Sequence, residues 1–206
     1  MPTPVLIVLV VLALLVLAAL VVWYLFFRGP DVKKYMVLKS PRIVTLPDER
    51  VLEVSGRGTP EEVAKGGFST LFKIYFKLKG VPKGPKMPLP RGRWIFTSPE
   101  DKDIAGQVAM PVPDTVTDLP DIAPAPGMTV RLTTWEYGEV AEIIHLGPYE
   151  NEIPIVEALE KFIAEQGYER TGVHEELYLR GPGMFGKGNP EKYVTIIRFQ
   201  VKRKDS

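Results

Sequence analysis

Residues 140–167 read VAEIIHLGPYENEIPIVEALEKFIAEQG. A β-branched run, Val140–Leu146, ends at Gly147-Pro148, and an amphipathic stretch follows from about Asn151 to Gln166. Ile155, Val156, Leu159, Phe162 and Ile163 recur at the helical period, and Glu157 and Lys161 stand four apart on the wet face. Gly167 is placed to stop the helix. The stretch therefore predicts a strand, a tight turn and a helix. Outward from it, Glu175–Arg180 and Tyr193–Lys202 carry the alternation and β-branching of strands, and Thr129–Tyr137 does so on the other side.

The same order, strand, strand, helix, strand, strand, occurs once more upstream. Its strands are Arg42–Leu46, Val51–Gly56, Arg93–Thr97 and Gln107–Val112. Between them Thr59-Pro60-Glu61-Glu62 forms a capping-box start, with Thr59 as N-cap, Pro60 at the first helical position and Glu62 two further on. Gly66-Gly67 predicts an interruption, so this helix is expected in two pieces. The second piece carries Phe68, Leu71, Phe72, Tyr75 and Leu78, and Gly80 ends it. Val51, Glu53 and Gly58 recur as Val140, Glu142 and Gly147, a shift of 89 positions, and Val112 recurs as Val201 at the same shift. The Pro-rich residues 113–127 join the halves, about 41–112 and 128–204, as a surface connection. The fold class expected is α+β: a duplicated βαββ unit, two pseudo-symmetric halves sharing an antiparallel sheet, helices on one face and a central ligand groove.

The N-terminus is different in kind. After the tail 1–4, Val5 to Phe27 is an unbroken apolar run, and the first 27 residues contain no Asp, Glu, Lys, Arg or His. At helical rise it spans about 34 Å, enough for a hydrocarbon core of about 30 Å. A core helix would need a polar face, which this stretch lacks. A cleaved signal peptide would need a basic start and a shorter apolar region, so an uncleaved transmembrane anchor is the expectation. Trp23 and Tyr24 suit a headgroup-level position. Arg28, Lys33, Lys34 and Lys39 follow the span within a juxtamembrane linker, residues 28–40, and place the C-terminal domain, 41–204, in the cytoplasm of a single-pass cell-membrane protein.

All charges lie beyond the span, 26 basic against 25 acidic, so no basic face steers nucleic acid. The absence of cysteine removes disulfides, thiolate nucleophiles and cysteine-ligated zinc from consideration.

The segment Val140–Val201 resembles the GyrI-like effector-binding domain family, known from bacterial regulators. Glu142 to Tyr149 looks like the family's strand ending in a His-x-Gly-Pro-Tyr turn. Glu176-Leu177-Tyr178-Leu179 looks like its Glu-x-Tyr-Leu strand, and Tyr193–Val201 like its closing strand. The first half departs from the pattern: its turn, Gly56-Arg57-Gly58-Thr59-Pro60, has neither His nor Tyr. A fainter likeness links Phe68–Lys79 to the SOUL haem-binding family, similar in fold. What the resemblance implies is a barrel-like duplicated domain whose groove binds small molecules, often amphipathic or cationic.

On a strand, Glu176 and Tyr178 share a face. A carboxylate beside an aromatic ring suits a cationic ligand, and the family match supports that role. Leu177 and Leu179 are expected on the opposite face, beneath the helices, and Glu175 is expected to be exposed. Trp94 and Phe96 hold the analogous positions of the first half and are expected on the other wall. Trp135, Tyr137 and Tyr149 are further wall candidates, with ordinary packing as the alternative. His145 reads as a turn-stabilising hydrogen-bonding group. His174 lies too far from it in sequence to suggest a metal pair, and no metal or cofactor is expected. Residues 181–190, rich in glycine, read as a connection beside the groove, matched by Val81–Pro90 in the first half. The expected function is a membrane-anchored binding protein for a small hydrophobic, amphipathic or cationic aromatic ligand. The alternatives are a hydrolase of reactive small-ring electrophiles, using Glu176 and Tyr178 as its catalytic pair, and a protein-interaction module.

Overall fold

The computed structural model describes residues 3–27, 30–96, 103–182 and 188–204. Helix α1 (Thr3–Phe27) comes first. From Pro4 to Val22 it is long and apolar enough to cross a membrane, and none of that stretch is buried against the rest of the chain. Arg28 lies outside the described residues, and at Trp23 and Tyr24 only the backbone is described.

A 3-10 helix follows at Val32–Lys39, then strands β1 (Arg42–Leu46) and β2 (Glu49–Gly58), helix α2 (Pro60–Tyr75), and strands β3 (Arg91–Ile95) and β4 (Ile104–Pro111). The second half repeats the order with β5 (Thr129–Trp135), β6 (Gly138–Leu146), α3 (Ile153–Glu165), the short β7 (Tyr168–Arg170), β8 (His174–Arg180) and β9 (Val194–Arg203). The expected strands are all found, with ends shifted by a few residues. Thr97, the expected end of β3, lies outside the described residues. β7 was not expected; its three residues are too short to show alternation, and they pair with the end of β9.

The sheet order is β1-β6-β9-β8-β3-β4-β2-β5, all antiparallel. Read from the central β8–β3 seam, the two directions mirror each other. Each half also lends its first strand to the other: β1 pairs with β6, and β5 pairs with β2. The repeat extends to the charges that hold these edges. Arg42 on β1 meets buried Glu142 on β6 at 2.6 Å, and Arg131 on β5 meets buried Glu53 on β2 at 2.8 Å. Both members of the second pair stand 89 positions from their counterparts in the first.

Both helices cover one face. The capping box forms as expected, Thr59 accepting from the Glu62 N–H while the Glu62 carboxylate accepts from that of Thr59. However, α2 is a single helix through Gly66-Gly67. The glycines permit close approach: a Cβ on Gly67 would lie 2.9 Å from Val108 Cγ2, and one on Gly66 would lie 2.9 Å from Met128 Cε. Leu71, Ile74 and Tyr75 of α2 then close over Leu52, Val54, Val108 and Met110. Leu159 and Ile163 of α3 do the same over Ala141, Ile143, Ile197 and Phe199. Each such apolar side chain withdrawn from water contributes about 1.5–3 kcal/mol. On the wet face of α3, Lys161 pairs with Glu165 at 3.8 Å, in place of the expected Glu157.

The opposite face corrects two expectations. Leu177 and Leu179 pack with Leu38, Tyr35 and Met36 rather than into the clusters beneath α2 and α3. The segment expected as a linker is thus a folded cover. Glu175 is buried, not exposed: it accepts from Arg93 Nε at 2.8 Å and from the Tyr137 hydroxyl at 2.9 Å. The face is covered because the sheet curls, bringing Val44 and Leu46 of β1 into one cluster with Trp135 of β5, from the other end of the strand order.

Candidate ligand-binding site

Strands β3 and β8 meet at the pseudo-symmetry seam, pairing Gly92 with Glu176 and Trp94 with His174. These residues point to the helix-bearing face, between α2 and α3. A cavity of about 680 Å³ opens there. Phe68 and Phe72 of α2, Met87 and Leu89 of the loop from α2 to β3, and Trp94, Ile104, Tyr149 and Tyr178 form its apolar walls. Glu152, His174 and Glu176 form its polar end.

Alternation places Glu176 and Tyr178 side by side, as the spacing predicts. Trp94 Nε1 donates to the Tyr178 hydroxyl at 3.1 Å. The Tyr178 ring stands edge-on to Phe68, centroids 5.3 Å apart, and to Tyr149 at 6.0 Å. Gly92 makes room for this array, since a Cβ there would lie 3.1 Å from both Trp94 Cζ2 and Tyr178 Oη. Phe96 also lines the cavity while staying exposed.

Tyr149 reaches the cavity through the Gly147-Pro148 turn. Gly147 has φ +117°, a region that strains other residues, and its N–H donates to the Tyr193 carbonyl. His145 Nε2 lies 2.8 Å from the Pro148 carbonyl oxygen and braces the same turn.

Trp135 and Tyr137 do not join the wall. They sit on the opposite face of the curled sheet, where Trp135 Nε1 donates to Glu53 and the Tyr137 hydroxyl donates to Glu175. Strand alternation showed that such residues share a face without showing which one. Arg93 completes their surroundings, its guanidinium 4.0 Å from the centre of the Trp135 ring.

Glu152 was not among the residues expected from the sequence. It holds the N-cap position of α3 but makes no capping hydrogen bond, so its carboxylate is free to enter the cavity. His174 precedes two glutamates in the sequence and reads there as too distant from His145 to share a metal with it; its partners are Glu176, 3.2 Å away, and Glu152, 3.9 Å away. The i,i+2 spacing of His174 and Glu176 was the available signal.

The electrostatics follow from burial. Burial, then repulsion from Glu176, push the Glu152 carboxyl up to about 7, with His174 opposing. Burial and the neighbouring Glu176 raise the Tyr178 phenol well above its ordinary range, against the smaller opposing effect of the Trp94 hydrogen bond. Burial, then Glu176, raise Tyr149 as well. Both phenols therefore remain neutral hydrogen-bonding groups.

The loops at the rim are those expected. Met87–Pro90 and Gly181-Pro182 line the cavity, while residues 183–187 lie outside the described residues. Pro30, three positions beyond the end of α1, lines it too.

Known proteins share this architecture. A crystal structure of an uncharacterized conserved protein from Listeria innocua superposes with a TM-score of 0.64 at 24% identity, covering 84% of this chain and 97% of that one. A hydrolase from Listeria innocua gives 0.61 at 24% identity, covering 82% and 96%. The C-terminal domain of EcmrR gives 0.57 at 13% identity, covering 80% and 98%. At these identities the likeness establishes the fold. No curated protein sequence matches the chain. The sequence model of the GyrI-like small molecule binding domain matches residues 39–202, from the end of the Val32–Lys39 helix into the last residues of β9. The duplicated sheet, the cavity at its seam and that match together make this chain a member of the GyrI-like small-molecule binding domain family.

Proposed function

We propose that the chain is a membrane-anchored receptor for amphipathic, cationic aromatic molecules. One observation carries the reading: two carboxylates, Glu152 and Glu176, stand with His174 at the end of a largely apolar cavity rich in aromatic rings. Its volume of about 680 Å³ falls within the roughly 300–1,000 Å³ of drug-sized sites. The two acids lie close enough for Glu176 to add to the effect of burial in raising the Glu152 carboxyl. A bound cation offsets that repulsion, and each aromatic face adds about 0.5–2 kcal/mol of cation–π attraction.

The full chain in detergent is titrated by calorimetry with methyltriphenylphosphonium and with 1,1,1-triphenylethane, its neutral isostere. The cation is expected to bind more tightly, and Glu176→Gln to weaken it by roughly tenfold, about 1.4 kcal/mol. Equal binding of both compounds, or of the cation by both proteins, rejects the reading. The neutral, weakly acidic Tyr178 suits packing and hydrogen bonding better than proton donation to a leaving group. Turnover of a small-ring electrophile, lost in Glu176→Gln, would reverse that preference.

The apolar α1 and the lysines after it support an anchor with the binding domain on the cytoplasmic side. Because the chain has no cysteine, a single Ser40→Cys substitution reports topology. In intact cells it is expected to resist an impermeant maleimide; labelling there overturns the orientation.

A further inference from the structure

The polar end of the cavity offers more than charge. His174 Nε2 and one oxygen each of Glu152 and Glu176 lie within 4.8 Å of one another. Nε2 is 3.2 Å from the nearer Glu176 oxygen and 3.9 Å from that of Glu152. A tetrahedral ion with bonds of about 2.0–2.2 Å sets its donor atoms about 3.3–3.6 Å apart. Both distances from Nε2 are close to that spacing, and closing the third from within 4.8 Å takes at most about 1.5 Å.

Two further observations point to a missing cation. His174 is 8% exposed, and its Nε2, within 4 Å of both carboxylates, has no hydrogen-bond partner. The second oxygen of Glu152, Oε2, is also buried without one. The contact of His174 with Glu176 has the distance of an ion pair but not the alignment of a hydrogen bond, whereas buried polar groups are ordinarily paired. The two acids also place like charges within 4.8 Å of each other; an ion between them removes that repulsion.

We propose that Glu152, His174 and Glu176 form a binding site for a divalent transition-metal ion, with Zn²⁺ the best match and an open coordination position facing the cavity. One imidazole nitrogen and two carboxylates suit Zn²⁺, whereas Ca²⁺ and Mg²⁺ prefer oxygen ligands throughout. The ligands come from one face of β8 and from the cap of α3, two elements the core already holds in place. With the ion bound, the cavity favours a ligand with a Lewis-basic head, such as a carboxylate, and rejects an organic cation. The two readings share Glu152 and Glu176 and compete for them; they differ in His174, which a metal ion needs as a ligand and an organic cation does not.

The test titrates chelator-treated full chain in detergent with ZnCl₂ by calorimetry, alongside Glu152→Gln and His174→Gln. Glu152 is only partly buried, and His174→Gln keeps a polar side chain, so both variants are built to fold; thermal unfolding in chelator checks that they do. Wild type is expected to bind one Zn²⁺ per chain, with CoCl₂ giving a visible d–d band and CaCl₂ no heat. Each variant is expected to weaken Zn²⁺ binding by roughly tenfold or more. Absence of Zn²⁺ binding by wild type, or undiminished binding by both folded variants, overturns the proposal. Methyltriphenylphosphonium binding in chelator separates the two readings. If it persists where Zn²⁺ fails, only the metal site falls; if Zn²⁺ binds where it fails, only the organic-cation reading falls.

Discussion

Glu175 and Glu176 are neighbours in the chain but belong to opposite faces of β8. Glu175 is held among Arg93, Tyr137 and Arg198 on the curled back face. Glu176 faces the cavity beside His174. Their substitutions should therefore separate stability from binding. Glu175→Gln leaves the largely buried Arg93 without its carboxylate, and losing one partner of such a buried pair costs about 3–5 kcal/mol. It is expected to lower the urea midpoint while leaving methyltriphenylphosphonium affinity near wild type. Glu176→Gln is expected to do the reverse. Equal effects of the two variants on binding would contradict this division. The sequence made part of this legible. Alternation put Glu176 with Tyr178, and the repeat put Trp94 opposite them. The burial of Glu175, and the side on which Trp135 and Tyr137 lie, depend on how the sheet curls and on what covers its second face. Neither is encoded in one strand's alternation. Glu152 went unseen because a glutamate before a helix ordinarily reads as part of its solvated first turn.

At the scale of elements, α2 shows local preference overruled by packing. Gly66-Gly67 reads as a break in isolation, and the helix runs through it because two smooth positions let it settle on β4 and on Met128. The sign of Gly67→Ala follows from magnitudes. Alanine gains up to about 1 kcal/mol in helix propensity. Its methyl group would enter the space of Val108 Cγ2, and overpacking of this kind costs about 1–3 kcal/mol. The substitution is expected to destabilise on balance, read as a lower denaturant midpoint. A Gly67→Ala, Val108→Ala double variant should recover part of the overpacking loss. The Val32–Lys39 helix was illegible for a related reason. Its packing residues, Val32, Tyr35, Met36 and Leu38, are mixed with three lysines and an exposed Val37, and the apolar surface of β6, β8 and β9 beneath them explains why it folds.

For the molecule as a whole, the repeat was the most informative reading and was still incomplete. The order of elements in each half was legible, as was the single α+β sheet they share. The exchange of first strands was not. A β1 paired with β2 and a β1 paired with β6 bury the same alternating residues, and the choice between them is made by the tertiary arrangement. The exchange predicts how the molecule responds to cutting. A protease site inserted into the exposed stretch 117–121 should yield, after cleavage, two fragments that co-elute as one native-sized particle. They are joined by β1–β6, β5–β2 and the β3–β8 seam. Separation of the fragments without denaturant would contradict the pairing.

The exchanged strands also set a timetable for biosynthesis. Arg42 of β1 leaves the ribosome 100 residues ahead of Glu142, an interval of about 5–20 s at ordinary elongation rates of about 5–20 residues per second. Through that interval β1 is an unmatched edge, and β2 waits in turn for Arg131, 78 residues behind Glu53. If α1 has by then engaged a membrane, other nascent copies are confined to the same surface. The β6 of a neighbouring chain offers β1 the same register as its own. The exchange therefore predicts, as the characteristic error in making this protein, an intertwined pair of chains in which every strand is correctly paired and the partners belong to different molecules.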